Sequence, residues 1–274
     1  PKADAVRTDI VLFENGTTDI PDRREWMEAR LAEGVRLCVF DARGIGAVRT
    51  RTFNNRRGVH ADSYKLACDA MMLGVSTLGG RVSDVVRAYD YLSTRDDVAD
   101  IGIYAVGRAA IDGYFAAALI GDLERAEFVD MLYSFRHLTD TRYYNRDLYG
   151  LDTMAYGLLT RLDLVDLLPC FGSGAPTFVS PRDATGEALS DAEFDVRFMG
   201  VAREHGYLAG AKSEPRPVAA GAVRTPVTKH DRRSGEQPWT WRAHAIGLAL
   251  SAFIGFATIY NLMVIHGSYT AIDF

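Results

Sequence analysis

Residues 101–120 read IGIYAVGRAAIDGYFAAALI, an apolar, β-favouring run that meets a glycine turn and continues as an alanine-rich helix. Upstream, the pattern predicts a strand at 9–13, a helix at 21–33 and a buried strand at 35–40, and the glycine-containing segment 41–46 follows at once. Strand, helix and strand joined by short glycine turns are typical of a parallel sheet. The sequence therefore predicts an α/β fold with a mostly parallel sheet and helices on both faces.

The same alternation continues along the chain. Further helices are predicted near 62–73, 81–94, 114–120 and 191–205, and further strands at 101–106 and 176–180. In an open α/β sheet, the residues just beyond the carboxyl ends of the strands line the ligand crevice. The residues predicted to converge there are Glu14, Asn15, Asp41, Arg43 and Arg108, together with Ala109 and Asp183.

Composition and charge limit the classes of function. With 48% hydrophobic and 24% charged residues, the chain of 274 residues has the balance of one medium globular domain plus appendages. A net charge of -5 argues against a nucleic-acid partner, because binding to phosphates needs a concentrated basic surface. The cysteines and histidines show no metal-ligand spacing, so the sequence predicts no metal site and no cofactor.

Four parts are predicted along the chain. The α/β domain covers 1–209, a linker rich in proline and basic residues covers 210–242, a transmembrane helix covers 243–265 and a short tail covers 266–274. The positive charges of the linker favour an anionic membrane surface or an acidic partner, although a solvated linker without specific contacts explains them equally well.

The transmembrane prediction rests on the run AHAIGLALSAFIGFATIYNLMVI at 243–265, which contains no Asp, Glu, Lys or Arg. About 20 apolar residues in a helix cross the ~30 Å hydrocarbon core of a bilayer, so a single-pass anchor in membrane lipid is expected. Basic residues concentrate before the run, which places the large domain in the cytoplasm and Phe274 on the opposite side. A buried helix of the core is the alternative.

Small residues form a stripe on the predicted helix, because Gly247, Ser251 and Gly255 recur every four positions. Such a stripe lets another helix approach closely, so we expect packing against the transmembrane helices of a membrane complex. The alternative is that small residues are simply common in membrane helices. His244 and His266 lie at the two ends of the span, where a histidine either ligates a haem or chlorin or is solvated by headgroups.

Four segments between residues 9 and 207 share an order and spacing with a known family. They are FENGTTD at 13–19, VFDARGIG at 39–46, GGRVSDVVRAYDYL at 79–92 and TFVSPRDATG at 177–186. Together they resemble the α/β-hydrolase fold, in the branch that contains acetyl xylan esterases, dienelactone hydrolases and prolyl-oligopeptidase-type peptidases.

The resemblance implies a serine at a sharp G-x-S-x-G turn between a strand and a helix, served by a histidine and an acid. The matching segment GRAAI at 107–111 places Ala109 at the nucleophile position, and a methyl group cannot attack a carbonyl. Asp183 matches the acid position, but we expect it to be a structural carboxylate that accepts backbone hydrogen bonds. His205 is expected to be a helix-end histidine favoured by the helix dipole and not a base.

These observations predict a catalytically degenerate hydrolase-fold protein that is an accessory or scaffolding subunit of a membrane protein complex. One alternative is an active membrane-anchored serine esterase or peptidase with an unrecognised nucleophile, although Ser76, Ser134 and Ser173 lack the elbow spacing. The other alternative is a non-catalytic ligand-binding module that keeps the crevice without the chemistry.

Overall fold

The computed structural model describes residues 5–49, 62–121, 123–172 and 174–207. The predicted linker at 210–242, the transmembrane helix at 243–265 and the tail at 266–274 lie outside the described residues, as do Gly247, Ser251, Gly255, His244, His266 and Ser173. None of the helices in the described ranges combines the length and the apolarity that a membrane span requires.

The centre of the fold is a five-stranded sheet in which every neighbouring pair is parallel. Its strands are β1 (Val6–Leu12), β2 (Arg36–Val39), β3 (Val98–Val106), β4 (Arg125–Val129) and β5 (Thr177–Val179). Their order across the sheet is β2-β1-β3-β4-β5, so the chain changes direction across the sheet between β1 and β3. This confirms the predicted mostly parallel sheet, and its topological switch point lies between β1 and β3.

Seven α-helices connect the described strands and cover the sheet. They are α1 (Arg24–Ala32), α2 (Asp62–Met72), α3 (Thr77–Ser93), α4 (Arg108–Ile120), α5 (Phe135–Asp140), α6 (Asp191–Phe194) and α7 (Gly200–Glu204). The helix predicted at 191–205 is interrupted by a π-helical segment at Asp195–Met199. The helix predicted at 114–120 begins earlier, at Arg108, so the segment expected to be a glycine turn is already helical.

The strand β4 was not predicted. It is short and alternates polar with apolar residues, and only Ala126 and Phe128 are buried along it. Its pairing with β3, which aligns Phe128 with Ala105, supplies the backbone hydrogen bonds that its weak local pattern does not indicate.

Successive side chains of β1 point to opposite faces of the sheet, and each face carries its own hydrophobic core. Ile10 and Leu12 belong to the larger cluster, which α3 and α4 cover. Val11 and Phe13 belong to the smaller cluster, against which Trp26 of α1 packs. Helices therefore lie on both faces, as predicted, and the carboxyl ends of β1 and β3 lie between them.

Candidate functional site

A cavity of about 260 Å³ opens at the carboxyl edge of the sheet, where β1 and β3 end. Its polar lining consists of the acidic residues Glu14, Asp62, Asp112 and Asp152, the arginines Arg49, Arg81 and Arg108, and the smaller residues Asn15, Thr18, Ser63 and Thr77. The switch point of a doubly wound sheet is the place where such folds bind ligands. We call this cavity the crevice.

Three of the residues predicted for the crevice lie there. Glu14 and Asn15 follow β1, and Arg108 begins α4 directly after the turn that ends β3. The Nε atom of Arg108 lies 3.3 Å from Oε1 of Glu14, so the ends of the two strands carry a facing pair of opposite charges. Solvent reaches about one-third of each side chain and screens the attraction, so this pair contributes modestly to stability.

Asp41, by contrast, is not among the residues that line the crevice. Its carboxylate accepts hydrogen bonds from the Thr17 hydroxyl at 2.6 Å and from the backbone N–H of Ala47 at 2.8 Å. Burial acts to raise the pKa of Asp41, but these hydrogen bonds outweigh it and hold the pKa below its usual range. Asp41 therefore joins the loop after β1 to the loop after β2 and is unavailable to a ligand.

Arg43 also serves the loops and does not line the crevice. Its Nε atom donates to Oδ2 of Asp84 at 2.7 Å, and its backbone N–H donates to the same oxygen at 3.1 Å. The carbonyl of Arg43 accepts from Nε of Arg81 at 3.2 Å. Arg43 thus anchors the loop after β2 onto α3, which explains why a residue at the end of a strand points away from the crevice.

A buried ion pair between Arg81 on α3 and Asp152 lines the crevice. Nη2 of Arg81 donates to Oδ2 of Asp152 at 2.9 Å, and both side chains are less than 10% exposed. A buried pair of this kind is costly to break, because either partner alone would leave an uncompensated charge inside the protein. The pair contributes buried charges of both signs to the lining of the cavity.

Asp112 on α4 is buried in the same place without such a partner. Its side chain is 3% exposed, and its carboxyl group makes no hydrogen bond to any described residue. Burial raises the pKa of Asp112 to about 7, although the charge of Arg81 acts in the opposite direction. Near neutral pH the group is therefore partly protonated, and in that form it donates a hydrogen bond.

Two other polar atoms at the crevice are buried without a hydrogen-bond partner in the described part of the chain. They are the hydroxyl oxygen of Thr77, at the start of α3, and Nε of Arg108, at the start of α4. Buried polar groups are nearly always hydrogen-bonded in folded proteins, so these two atoms are exceptions among the residues of the crevice.

The turn from β3 to α4 is formed by Gly107, which has φ of 63° and ψ of -130°. A residue with a side chain seldom adopts this conformation, and a Cβ here would lie 2.5 Å from Oε2 of Glu14. The sharp strand-to-helix turn therefore falls at Gly107 and not at Ala109, which lies within the first turn of α4 and is 3% exposed. Ala109, which the resemblance aligns with the nucleophile, lies two residues beyond this turn, and Gly107 has no side chain that could act as a nucleophile.

Asp183 follows β5 and accepts three hydrogen bonds through one oxygen. The donors are the backbone N–H groups of Thr185 at 2.8 Å and Glu187 at 3.0 Å, and the Thr185 hydroxyl at 2.7 Å. Burial acts to raise the pKa of Asp183, but these bonds and the nearby charge of His137 lower it. Asp183 stabilises its own loop, in keeping with the expected structural carboxylate.

His205 lies at the carboxyl end of α7, with a side chain that is half exposed. Its Nδ1 atom is 3.8 Å from Oδ1 of Asp166, and its ring contacts Tyr207. Neither His205 nor His137, the two histidines that the structure describes, is among the residues that line the crevice. Ala109 and Asp183 are also absent from that lining, so none of the three predicted degenerate positions lines the crevice.

The sequence prediction missed the residues that make the crevice unusual, namely Thr77, Arg81, Asp112 and Asp152. One local signal existed, because Asp112 is the only charged residue between Ala109 and Ile120. A carboxyl group in the middle of an apolar helix indicates a special environment. Arg81 and Asp152 are 71 positions apart, so no local pattern could have paired them.

The sheet order and the crevice define a doubly wound parallel α/β domain, and its fold is similar to that of esterase structures of the α/β-hydrolase type. A solved structure from Bacteroides fragilis, which is assigned as an acetyl xylan esterase, is similar to this chain. The TM-score is 0.51 and the identity 11%, over 66% of this chain and 54% of the other. This chain thus spans about half the length of that protein. At this identity the likeness concerns the fold alone.

Two further solved structures show a weaker likeness. The acetyl xylan esterase from Paenibacillus sp. R4 gives a TM-score of 0.41 with 13% identity, over 75% of each chain. Est1E from Butyrivibrio proteoclasticus, solved with ferulic acid, gives 0.39 with 10% identity, over 74% of this chain and 90% of the other. A scan against models of protein families and a search of curated proteins find no match.

Proposed function

We propose that this chain is a hydrolase-fold protein without acyl-transfer activity that serves as an accessory or scaffolding subunit of a membrane complex. The observation that carries the first part is the glycine at the strand-to-helix turn. Covalent acyl transfer needs a nucleophile exposed at that turn beside a base. Gly107 offers no side chain, and Ala109 is a buried methyl group.

The position of Glu14 also opposes acyl-transfer chemistry. Its carboxylate is next to the turn, 2.5 Å from the place that a Cβ on Gly107 would take. Acyl transfer develops negative charge on the carbonyl oxygen, and an active site stabilises that charge with hydrogen-bond donors. A carboxylate beside the reacting carbonyl would repel the oxyanion, so this geometry disfavours the transition state even if another nucleophile were supplied.

The test of inactivity is the hydrolysis of p-nitrophenyl acetate by the purified full chain in mild detergent. We expect no turnover above the uncatalysed rate, because loss of the nucleophile alone costs on the order of 10⁶-fold in serine proteases. A Gly107→Ser variant should stay close to background, since neither described histidine lines the crevice. Turnover by the unmodified chain that a serine-directed phosphonate abolishes would instead support the active esterase or peptidase.

The membrane part of the proposal rests on the sequence of the predicted transmembrane helix at 243–265. The stripe of Gly247, Ser251 and Gly255 favours close packing against another helix, where dispersion and weak hydrogen bonds act in place of the hydrophobic effect.

This part is tested by retention of the chain in its detergent-solubilised complex. We expect Gly255→Leu to release the chain, because the larger side chain would push the helices apart. Ala249→Leu is the matched control, since it adds a similar volume on the opposite side of a helix and should be tolerated. Equal retention of both variants would count against packing through the stripe.

A second candidate function is a ligand-binding module. It is favoured by one observation, the cavity of about 260 Å³ at the switch point of the sheet, which is lined by several charged residues. A binding module needs the crevice but no nucleophile, so both candidate functions are compatible with one protein.

A further inference from the structure

We propose that the crevice binds a small organic molecule with a primary ammonium group, and that the carboxylate of Asp112 receives this group. The inference rests on the second candidate function, ligand binding, and names the chemical class of the ligand. It does not depend on the membrane anchor, and a failure to bind would leave the absence of acyl-transfer activity untouched.

The two arginines whose charges act on Asp112 are already engaged by other groups. All three side-chain nitrogens of Arg81 donate hydrogen bonds, and two of them bind Asp152. Nε of Arg108 lies 3.3 Å from Oε1 of Glu14. Each of these guanidinium groups therefore has a carboxylate of its own, and neither pairs directly with Asp112.

Asp112 is a carboxyl group of the crevice that is buried without a partner among the described residues. Its residue is 3% exposed and lines the cavity, and no described residue donates a hydrogen bond to it. Its oxygens differ from the Thr77 hydroxyl and from Nε of Arg108, which neighbouring atoms seal from the cavity. A ligand atom inside the cavity can therefore reach the carboxyl group. Buried charges in folded proteins are paired, so the partner that ionised Asp112 lacks is a cation.

The balance of charge around the cavity favours a monocation. The two ion pairs described above cancel in charge. The charged lining residues that remain are the acidic Asp62 and Asp112 and the exposed, basic Arg49. With Asp112 ionised, the lining therefore has one negative charge in excess, which an ammonium group neutralises. An anion would instead meet the carboxylates of Asp112 and Glu14.

The cavity also limits the size and the class of the cation. Its volume of about 260 Å³ and the apolar side chains of Ile45 and Leu66 suit a small organic body. A primary ammonium has three donors, and the side-chain oxygens of Asn15 and Thr18 are further acceptors in the lining. A divalent metal ion would need about six oxygen ligands, whereas two of the carboxylates here are held by arginines.

The experiment uses cyclohexylamine as the probe and measures the thermal unfolding midpoint of the full chain in mild detergent at about pH 8. The amine is protonated at this pH, as a lysine side chain with a pKa near 10.4 is. We expect the midpoint to rise with amine concentration, because a ligand that binds only the folded state stabilises it. Cyclohexanol keeps the ring without the charge and cyclohexanecarboxylate reverses the charge, so both should give much smaller shifts.

The outcomes separate the ligand class from ligand binding itself. An equal shift with cyclohexanol, or a larger one with the carboxylate, would overturn the ammonium assignment but leave a binding module. A shift of the same size with magnesium chloride in place of the amine would assign the site to a metal ion and overturn the proposal as well. No shift with any of these probes would contradict both the proposal and the second candidate function.

Variants locate the site. Asp112→Asn keeps the shape of the side chain without the negative charge, so it should weaken cyclohexylamine binding by about ten- to a hundredfold in titration calorimetry. Asp140→Asn at the end of α5 is the matched control, because Asp140 is exposed and does not line the crevice. Leu66→Trp should fill part of the cavity and weaken binding too, which gives a second test if Asp112→Asn fails to fold. Unchanged affinity in a folded Asp112→Asn protein would contradict the proposal.

The dependence on pH tests Asp112 separately. Its pKa of about 7 means that below this pH a proton must leave before the ammonium binds. Affinity should therefore rise by up to about tenfold per pH unit below pH 7 and level off above it. The charged groups that act on Asp112 or share its cavity are Arg81 and Asp84 of α3, Arg108 of α4, Glu14, Arg49, Asp62 and Asp152. None of these is a histidine, which would titrate in the same range. Asp112→Asn should remove the rise, and a rise of the same size in that variant would exclude Asp112 as the receiving group and overturn the proposal.

Discussion

Arg81 compensates two buried carboxyl groups in different ways. It donates a direct hydrogen bond to Asp152 at 2.9 Å, while it acts on Asp112 through its charge alone. Asp112 consequently keeps a raised pKa despite a nearby guanidinium, because the cost of burying its charge exceeds the attraction. The protonation of the buried carboxyl groups in the crevice therefore depends on the contacts of individual side chains.

We expect Arg81→Met to lower the free energy of unfolding by about 3–5 kcal/mol, because it leaves Asp152 buried without its partner. Adding Asp152→Leu to that variant should recover part of the loss, since no unpaired charge then remains. Thermal denaturation of the three proteins measures the effect. A loss below about 1 kcal/mol in Arg81→Met would show that solvent reaches Asp152 after the change.

The titration of Asp112 should appear in the stability of the protein. Its folded pKa of about 7 exceeds the unfolded value near 3.9, so the folded state holds an extra proton between these values. Stability therefore falls as the pH rises across that window and levels off above about 7. We expect the unfolding midpoint to drop between about pH 5 and pH 8 by more in the unmodified chain than in Asp112→Asn. Parallel profiles would contradict the raised pKa.

The element that organises the crevice is the turn between β3 and α4. Gly107 allows the strand to enter the helix with a positive φ, and its backbone N–H donates to the carbonyl of Val129 on β4 at 2.9 Å. The missing side chain leaves room for Glu14, which then faces Arg108. The same glycine therefore makes the turn possible and places the charged pair at the mouth of the crevice.

Gly107→Ala should destabilise the protein by more than Gly34→Ala does. Both glycines have positive φ, which disfavours a residue with a side chain, and the ψ of -130° at Gly107 adds to that strain. A Cβ at Gly34 has open space, whereas one at Gly107 meets Glu14. Adding Glu14→Ala to Gly107→Ala should recover the part of the cost that comes from the clash, while the backbone strain at position 107 remains. Equal melting temperatures for Gly107→Ala and Gly34→Ala would show that Glu14 moves aside freely.

At the scale of the whole molecule, both hydrophobic clusters are built by residues between Ile10 and Tyr207. A chain truncated after Ala220 keeps all of these residues and should fold into a domain that unfolds cooperatively. Circular dichroism during heating and flotation with lipid vesicles check this expectation. Aggregation, or flotation with the vesicles, would mean that the removed residues complete the core or that the domain has its own membrane contact.

The sequence alone determined the α/β class, because alternating apolar runs and glycine turns act over a few residues. Most strands and helices were predicted for that reason, and β4 was missed because its stability comes from pairing with β3. Glu14, Asn15 and Arg108 were placed in the crevice by the rule that strand ends meet at one edge of a parallel sheet.

Only the tertiary structure decided what the crevice contains. Where α4 begins depends on its packing against the sheet, and the helix begins at Arg108, directly after the turn at Gly107. Asp112 acquires its pKa from burial and from the charge of Arg81, and Arg81 pairs with a residue 71 positions away. Desolvation and long-range pairing arise only when distant segments come together, so local sequence patterns do not predict them.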